Sequence, residues 1–230
     1  MKIILYPSLR ARFYCQYKNG STTLFSFFER LSNGHQLIHW DESTRNSRAS
    51  FNYSLRDVCE PRVDIEFTVV RNSWERVESL YTMLSCQYEG KEEGIDKGSL
   101  HSWFDPFSSD IISALSSGRP FHSFVRYITS LSHERCDSHW QSQVENLPFG
   151  SPTFRVLRLE HLHSDFVAFV QKHLNADIRK AGIANSSASR RPAVPASWDA
   201  EAISLVYERY EKEISIFGFE PPGWQRVYQW

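Results

Sequence analysis

Phe13-Tyr14-Cys15-Gln16-Tyr17, then Lys18-Asn19-Gly20-Ser21-Thr22-Thr23, then Leu24-Phe25-Ser26-Phe27-Phe28-Glu29-Arg30-Leu31: this stretch decides the fold. An apolar run, a tight polar loop and an amphipathic run read as strand, turn and helix. A loop that opens a helix presents unpaired N–H groups at the positive end of the helix dipole. Such a place attracts a phosphate or sulfate group. Gly20 lets the backbone pass close to the anion, Ser21, Thr22 and Thr23 add hydroxyl donors, and Lys18 adds a mobile positive charge. The loop is not a Walker A sequence, because its lysine precedes its only glycine.

A second stretch has the same grammar. Asp64-Ile65-Glu66-Phe67-Thr68-Val69-Val70 has strand character. Beyond Arg71-Asn72-Ser73, the residues Trp74, Val77, Tyr81 and Leu84 recur at helical spacing, which predicts a helix with one buried face reaching about Tyr88. Arg71 then stands at the carboxyl end of a strand, where open α/β sheets bind ligands. Ser79 lies about two turns into the helix.

Together these stretches resemble the sulfotransferases, in particular the carbohydrate (Golgi-type and bacterial) branch. Residues 18–23 resemble that family's 5′-phosphosulfate loop. Arg71-Asn72-Ser73-x-x-Arg76-x-x-Ser79-x-Tyr81 resembles its 3′-phosphate motif. Phe124-Val125-Arg126-Tyr127, Asp137-Ser138-His139-Trp140-x-x-Gln143, Arg158-Leu159-Glu160-His161-Leu162 and Tyr207-x-x-Tyr210-x-x-Glu213-Ile214-x-x-Phe217-Gly218-Phe219 follow in the family's order. Ser73 stands where the family has proline and is expected to cap the helix with its hydroxyl. Glu213 stands where the family has aspartate, a change with no functional reading from sequence.

The resemblance implies an α/β fold with a P-loop-like central parallel sheet in a three-layer α/β/α arrangement. It implies a single domain over 1–230, with a nucleotide-binding core (11–88), a helical insertion shaping an acceptor site (89–150) and a last strand, closing loop and C-terminal helix (151–230). It implies transfer of a sulfuryl group from 3′-phosphoadenosine 5′-phosphosulfate to a carbohydrate hydroxyl, or less readily an amine, without a metal. Lys18 is the expected stabiliser of the leaving oxygen. Asn19, Gly20, Ser21, Thr22 and Thr23 are expected to hold the 5′-phosphate, and Arg71 and Ser79 the 3′-phosphate. Arg190 or Arg191, in a small polar loop, would close over the nucleotide. His39, at the end of a second strand predicted over 36–40, is the first choice for the general base, with Asp41 and Glu42 as substitutes. His139-Trp140 reads equally as a ligand contact or as core packing. Trp103 and Phe104, beside an exposed loop expected over 89–102, are candidates for acceptor contact. Two other readings stay open: a P-loop nucleotide kinase or NTPase, and a non-catalytic nucleotide-binding protein.

Composition bounds these readings. With 26 basic and 27 acidic residues and a net charge of -1, no global field favours nucleic acid or an anionic membrane. No stretch is apolar over a membrane-spanning length, and residues 1–7 lack the apolar run of a signal peptide, so a soluble cytoplasmic protein of bacterial type is expected. Cys15, Cys59, Cys86 and Cys136 show no metal-ligand or redox spacing and are expected to be reduced. Further elements are expected as helices over 54–58, 106–115 and 120–131, a strand over 153–159, a helical face of Leu162, Phe166, Phe169 and His173, and a last helix with the stripe Ile203, Val206, Tyr210, Ile214 and Phe217.

Overall fold

A computed structural model describes residues 2–19, 24, 38–41, 59–145, 147–174 and 192–223. The chain forms two compact units. The first comprises 1–71 with 145–186, and the second 72–144 with 187–230. The boundary falls between Arg71 and Asn72, inside the stretch that sequence groups as the nucleotide-binding core.

The first unit carries a five-stranded sheet in the order β3-β1-β2-β4-β5. Its strands are β1 (Lys2–Tyr6), β2 (Ala11–Cys15), β3 (Ile38–Asp41), β4 (Ile65–Val70) and β5 (Phe154–Arg158). Strands β2, β4 and β5 run parallel, as expected for strands separated by helical segments. The sheet as a whole is mixed, which corrects the expectation of an all-parallel one. β1 runs antiparallel to both β2 and β3. The physical reason is the short connection from β1 to β2: residues 7–10 can only reverse the chain, not cross it over.

One face of the sheet builds the apolar core. Ile4, Tyr6, Ala11, Phe13, Cys15, Ile65, Phe67, Val69 and Leu157 pack with Leu162, Phe166 and Phe169 of α4 (Leu162–Phe169) and with Val170. Phe13 and Phe67 stack at 4.8 Å between ring centroids. Leu24, helical and buried, joins this core. The helical face expected through Leu162, Phe166, Phe169 and His173 is present, although the chain loosens into a π turn over Val170–Leu174. The opposite face mixes a small apolar patch of Ile3, Tyr14 and Phe154 with buried charge.

The second unit is helical: α1 (Ser73–Tyr88), α2 (Ser108–Leu115), α3 (Pro120–Ser130) and α5 (Ala200–Phe217). Trp74, Val77, Tyr81 and Leu84 of α1 are buried, as their spacing predicts. The cap of α1 is Asn72, not Ser73: the Asn72 side chain accepts from the N–H of Trp74 at 3.0 Å and of Glu75 at 3.4 Å. Ser73 is already helical and gives its hydroxyl to Glu213. In α5, Val206, Tyr210, Ile214 and Phe217 are buried as expected. Ile203 is half-buried, and Ala202 and Glu213 complete the buried face. Asp199 caps this helix, and Gly218, at φ 62°, ends it in the left-handed conformation. No helix among the described residues is long and apolar enough to cross a membrane.

Candidate anion site at the ends of β2 and β4

The backbone register of β2 against β4 runs from Ala11↔Ile65 to Tyr14↔Thr68. At that pair and past it, side chains keep the two segments together. The Thr68 hydroxyl donates to the Tyr14 carbonyl at 2.7 Å. Asn19, buried, donates from Nδ2 to the Val69 carbonyl at 2.9 Å. The Arg71 guanidinium approaches the Lys18 carbonyl through Nη1 at 3.5 Å, a weak contact longer than the roughly 2.7–3.2 Å of an ordinary N–H···O bond. The Asn19 bond is the firmer of the last two and is worth about 1 kcal/mol net. The loop after β2 is therefore tied to the end of β4 by its own residues.

Lys18 adopts φ 65°. A non-glycine residue there costs about 1 kcal/mol or more, because Cβ crowds the following carbonyl. Lys18 and Arg71 are both half-buried. Arg158, level with Val70 in the register, ends the third parallel strand. Basic residues thus stand at or just past the carboxyl ends of β2, β4 and β5, the edge where α/β sheets receive ligands. Two guanidinium groups and an ammonium can supply forked and point-like donors to oxyanions.

Below this edge lies a buried ionic cluster that sequence reading missed. Glu66 accepts from Arg12 at 2.6 Å, Tyr14 at 2.9 Å, Ser151 at 2.6 Å and Thr153 at 3.0 Å. Arg12 also donates to the carbonyls of Cys59 and Pro61, each at 2.7 Å. Burial works to raise the Glu66 pKa, but the hydrogen bonds from Ser151, Tyr14, Arg12 and Thr153 outweigh it and hold the carboxyl below its ordinary value. Burial, then the bond to Glu66, pushes the Tyr14 phenol up to about 12. The signal was available as a period of two: Arg12 and Tyr14, Glu66 and Thr68 alternate with Phe13, Cys15, Phe67 and Val69.

Other expected site residues fall elsewhere. Gly20, Ser21, Thr22 and Thr23, with Glu42, Arg190 and Arg191, lie outside the described residues, as does the helix expected over 54–58. His39 pairs with Ile4, and Asp41 pairs with Lys2, the residue that also faces Cys15. Asp41 is therefore level with the carboxyl end of β2, and His39 lies two residues further back along β3. Ser79 is in α1 of the second unit and half-buried.

The second unit has its own glutamate hub. Glu213, fully buried, accepts from Ser73 Oγ at 2.6 Å, Ser142 Oγ at 3.1 Å, the Gln143 N–H at 2.5 Å and Gln143 Nε2 at 2.9 Å. Arg76 stands 3.7 Å away and lies over the Tyr210 ring at 5.1 Å. Glu213 thereby acquires a structural reading that its sequence position alone did not supply. Trp140 is buried, and its carbonyl accepts from the Tyr210 hydroxyl at 2.7 Å, so core packing is its role. His139 is held by Asp137, which accepts from its N–H at 2.8 Å and contacts Nδ1 at 2.5 Å. Phe104 is fully buried beside His139 and Trp140, which removes it from the candidates for acceptor contact. Trp103 lies in the 3-10 turn over Ser102–Phe107.

No protein-family model matches this chain, and no curated protein or solved structure does.

Proposed function

We propose that this chain is a sulfotransferase with a P-loop-like three-layer fold, using 3′-phosphoadenosine 5′-phosphosulfate to sulfate a carbohydrate hydroxyl. The observation that supports it is the tethering of two basic motif segments: Asn19 bonded to Val69 O, and Arg71 in weak contact with Lys18 O. A phosphosulfate needs cationic donors at a turn beside a strand end, and a second phosphate needs an arginine within reach of that turn.

The reaction runs as an in-line displacement. The acceptor oxygen attacks sulfur, the bond from sulfur to the 5′-phosphate oxygen breaks, and the hydroxyl proton passes to a base. Charge grows on the leaving oxygen, as in phosphoryl transfer. Lys18 is assigned to that oxygen, where one preorganised donor is worth about 3 kcal/mol of barrier. Arg71 is assigned to the 3′-phosphate. His39, Asp41 and Glu42 are the candidate bases.

Isothermal titration with adenosine 3′,5′-bisphosphate and with AMP tests the reading. The bisphosphate should bind at least about tenfold more tightly, and Arg71→Ala should erase that preference. Equal affinities in the wild type would refute the assignment. Transfer of labelled sulfate to a panel of glycans then tests turnover.

A further inference from the structure

The second unit contains an open cavity of about 570 Å³ between α3 and α5, with Arg126, Thr129, Ser130, Glu201, Glu208 and Arg209 in its lining. That volume suits a small ligand. Its carboxylates are already engaged. Glu201 binds Arg126 and, at 2.9 Å, His122 Nε2. Glu208 accepts from Ser204 Oγ at 3.0 Å. Arg209 is different. Its Nε and Nη2 are covered by protein yet have no hydrogen-bond partner among the described residues. Covered guanidinium nitrogens without acceptors are costly, more so than neutral groups. Nε and Nη2 form the edge that grips a carboxylate or phosphate through two parallel bonds. The helix leaves regular dihedrals at the next residue, Tyr210 (φ −117°, ψ 20°), and Arg209 itself lines the cavity.

The rest of the lining sets the body of the ligand. Thr129 Oγ1 donates to Val125 O at 2.8 Å and Ser130 Oγ to Tyr127 O at 2.7 Å. Both hydroxyls have spent their protons within the helix, so towards the cavity they offer lone pairs. Acceptor oxygens beside a cationic fork call for a molecule with an oxyanion at one end and hydroxyl donors along it.

We propose that this cavity is a binding site for a sugar acid or sugar phosphate, its oxyanion held by the Nε–Nη2 edge of Arg209 after a side-chain rotation, its hydroxyls by Thr129 and Ser130. The site is independent of the Lys18 and Arg71 assignment.

The test uses the full chain carrying Arg71→Ala, so that anions at the strand ends do not contribute. Glucuronate, glucose 6-phosphate, glucose and inorganic phosphate are titrated while the arginine Nε–H resonances are followed. Glucuronate or glucose 6-phosphate should saturate and shift the Arg209 Nε–H signal, the two arms telling acid from phosphate, and glucose should not. Arg209→Gln should weaken binding about tenfold or more, with Arg209→Lys between, since lysine keeps the charge and loses the fork. Unchanged affinity in Arg209→Gln, or an Arg209 signal that no ligand moves at roughly 10 mM, overturns the proposal. If Arg209→Gln does not fold, the Arg209 resonance of the Arg71→Ala chain and the Arg209→Lys affinity decide.

Discussion

Two residues with left-handed backbone bracket the same strand. Arg10, at φ 49°, enters β2, and Lys18, at φ 65°, follows it. The fold explains the first. Arg10 closes the reversal from β1: its N–H bonds to Pro7 O at 3.1 Å, and its carbonyl accepts from Asp64 N at 2.8 Å. Its guanidinium pairs with Asp64 at 2.8 Å on the surface. Among the described residues, the turn at Lys18 closes no hairpin. What it does is set a lysine carbonyl against Arg71, past the carboxyl end of the strand. Strain that a chain reversal requires is architecture. Strain without that requirement is motivated better by function.

The largest expected effect separates the two ends directly. Under the proposed reaction, Lys18→Ala lowers the rate of sulfate transfer about 10²–10³-fold while the unfolding midpoint stays near wild type. Arg10→Ala does the reverse, sparing turnover and lowering the midpoint. Transfer assays beside thermal melts read both. Loss of stability in Lys18→Ala with proportionate loss of activity would erase the contrast.

The strand between these ends supplies the next effect. Glu66→Ala leaves the Arg12 guanidinium buried without its carboxylate, and the expected loss is about 3 kcal/mol in urea denaturation. The same carboxyl gives a pH dependence. Its folded pKa lies below its ordinary value, so the stabilisation is full above the unfolded value of about 4.3 and is lost as pH falls through the lower folded one. Wild type should therefore lose stability in acid more steeply than Glu66→Gln. Parallel acid profiles for the two would show that Glu66 is not the group responsible.

A third effect sharpens the comparison through the second hub. Arg12 touches Glu66 at 2.6 Å and holds two carbonyls, whereas Arg76 stands 3.7 Å from Glu213 and donates no hydrogen bond to it. Arg12→Met should cost about 2 kcal/mol and Arg76→Met about 1, because Arg12 gives up a close ion pair and two carbonyl bonds while Arg76 gives up only a longer contact. Equal losses in urea denaturation would mean that contact distance is not what distinguishes the hubs.

Much of this was legible as pattern. The β-branched run before Arg71 and the helical spacing of Trp74, Val77, Tyr81 and Leu84 depend on neighbours in sequence, and those elements lie where expected. Strand β1 was missed although Ile3, Ile4 and Leu5 form an apolar run, because the reversal after it rests on a left-handed arginine rather than a glycine. The cap was misassigned by one residue, since Asn72 and Ser73 are both good capping types and only the Glu213 partner of Ser73 decides between them. That partner is remote in sequence, as are the partners of Arg12. Local reading sees the residue types in such hubs and not their pairing. At the candidate site, Lys18 and Arg71 were legible by position after strands; the Asn19 tether to Val69 O was not.

The smallest effect tests the strain itself. Glycine accepts positive φ without steric cost but loses more freedom on folding, by about 0.5–1 kcal/mol. At Lys18 the relief of about 1–2 kcal/mol exceeds that cost, so Lys18→Gly should gain about 0.5 kcal/mol, a rise of roughly 1–2 °C in melting temperature. At Arg10 the same relief is offset further by loss of the exposed Asp64 pair, worth about 0.5 kcal/mol, so Arg10→Gly should be close to neutral. A stabilised Lys18→Gly that has lost sulfate transfer would show that the wild-type chain holds lysine there against its own stability. A Lys18→Gly clearly less stable than wild type would mean that the side chain, not the backbone conformation, holds this turn, and the difference between the two ends of β2 would disappear.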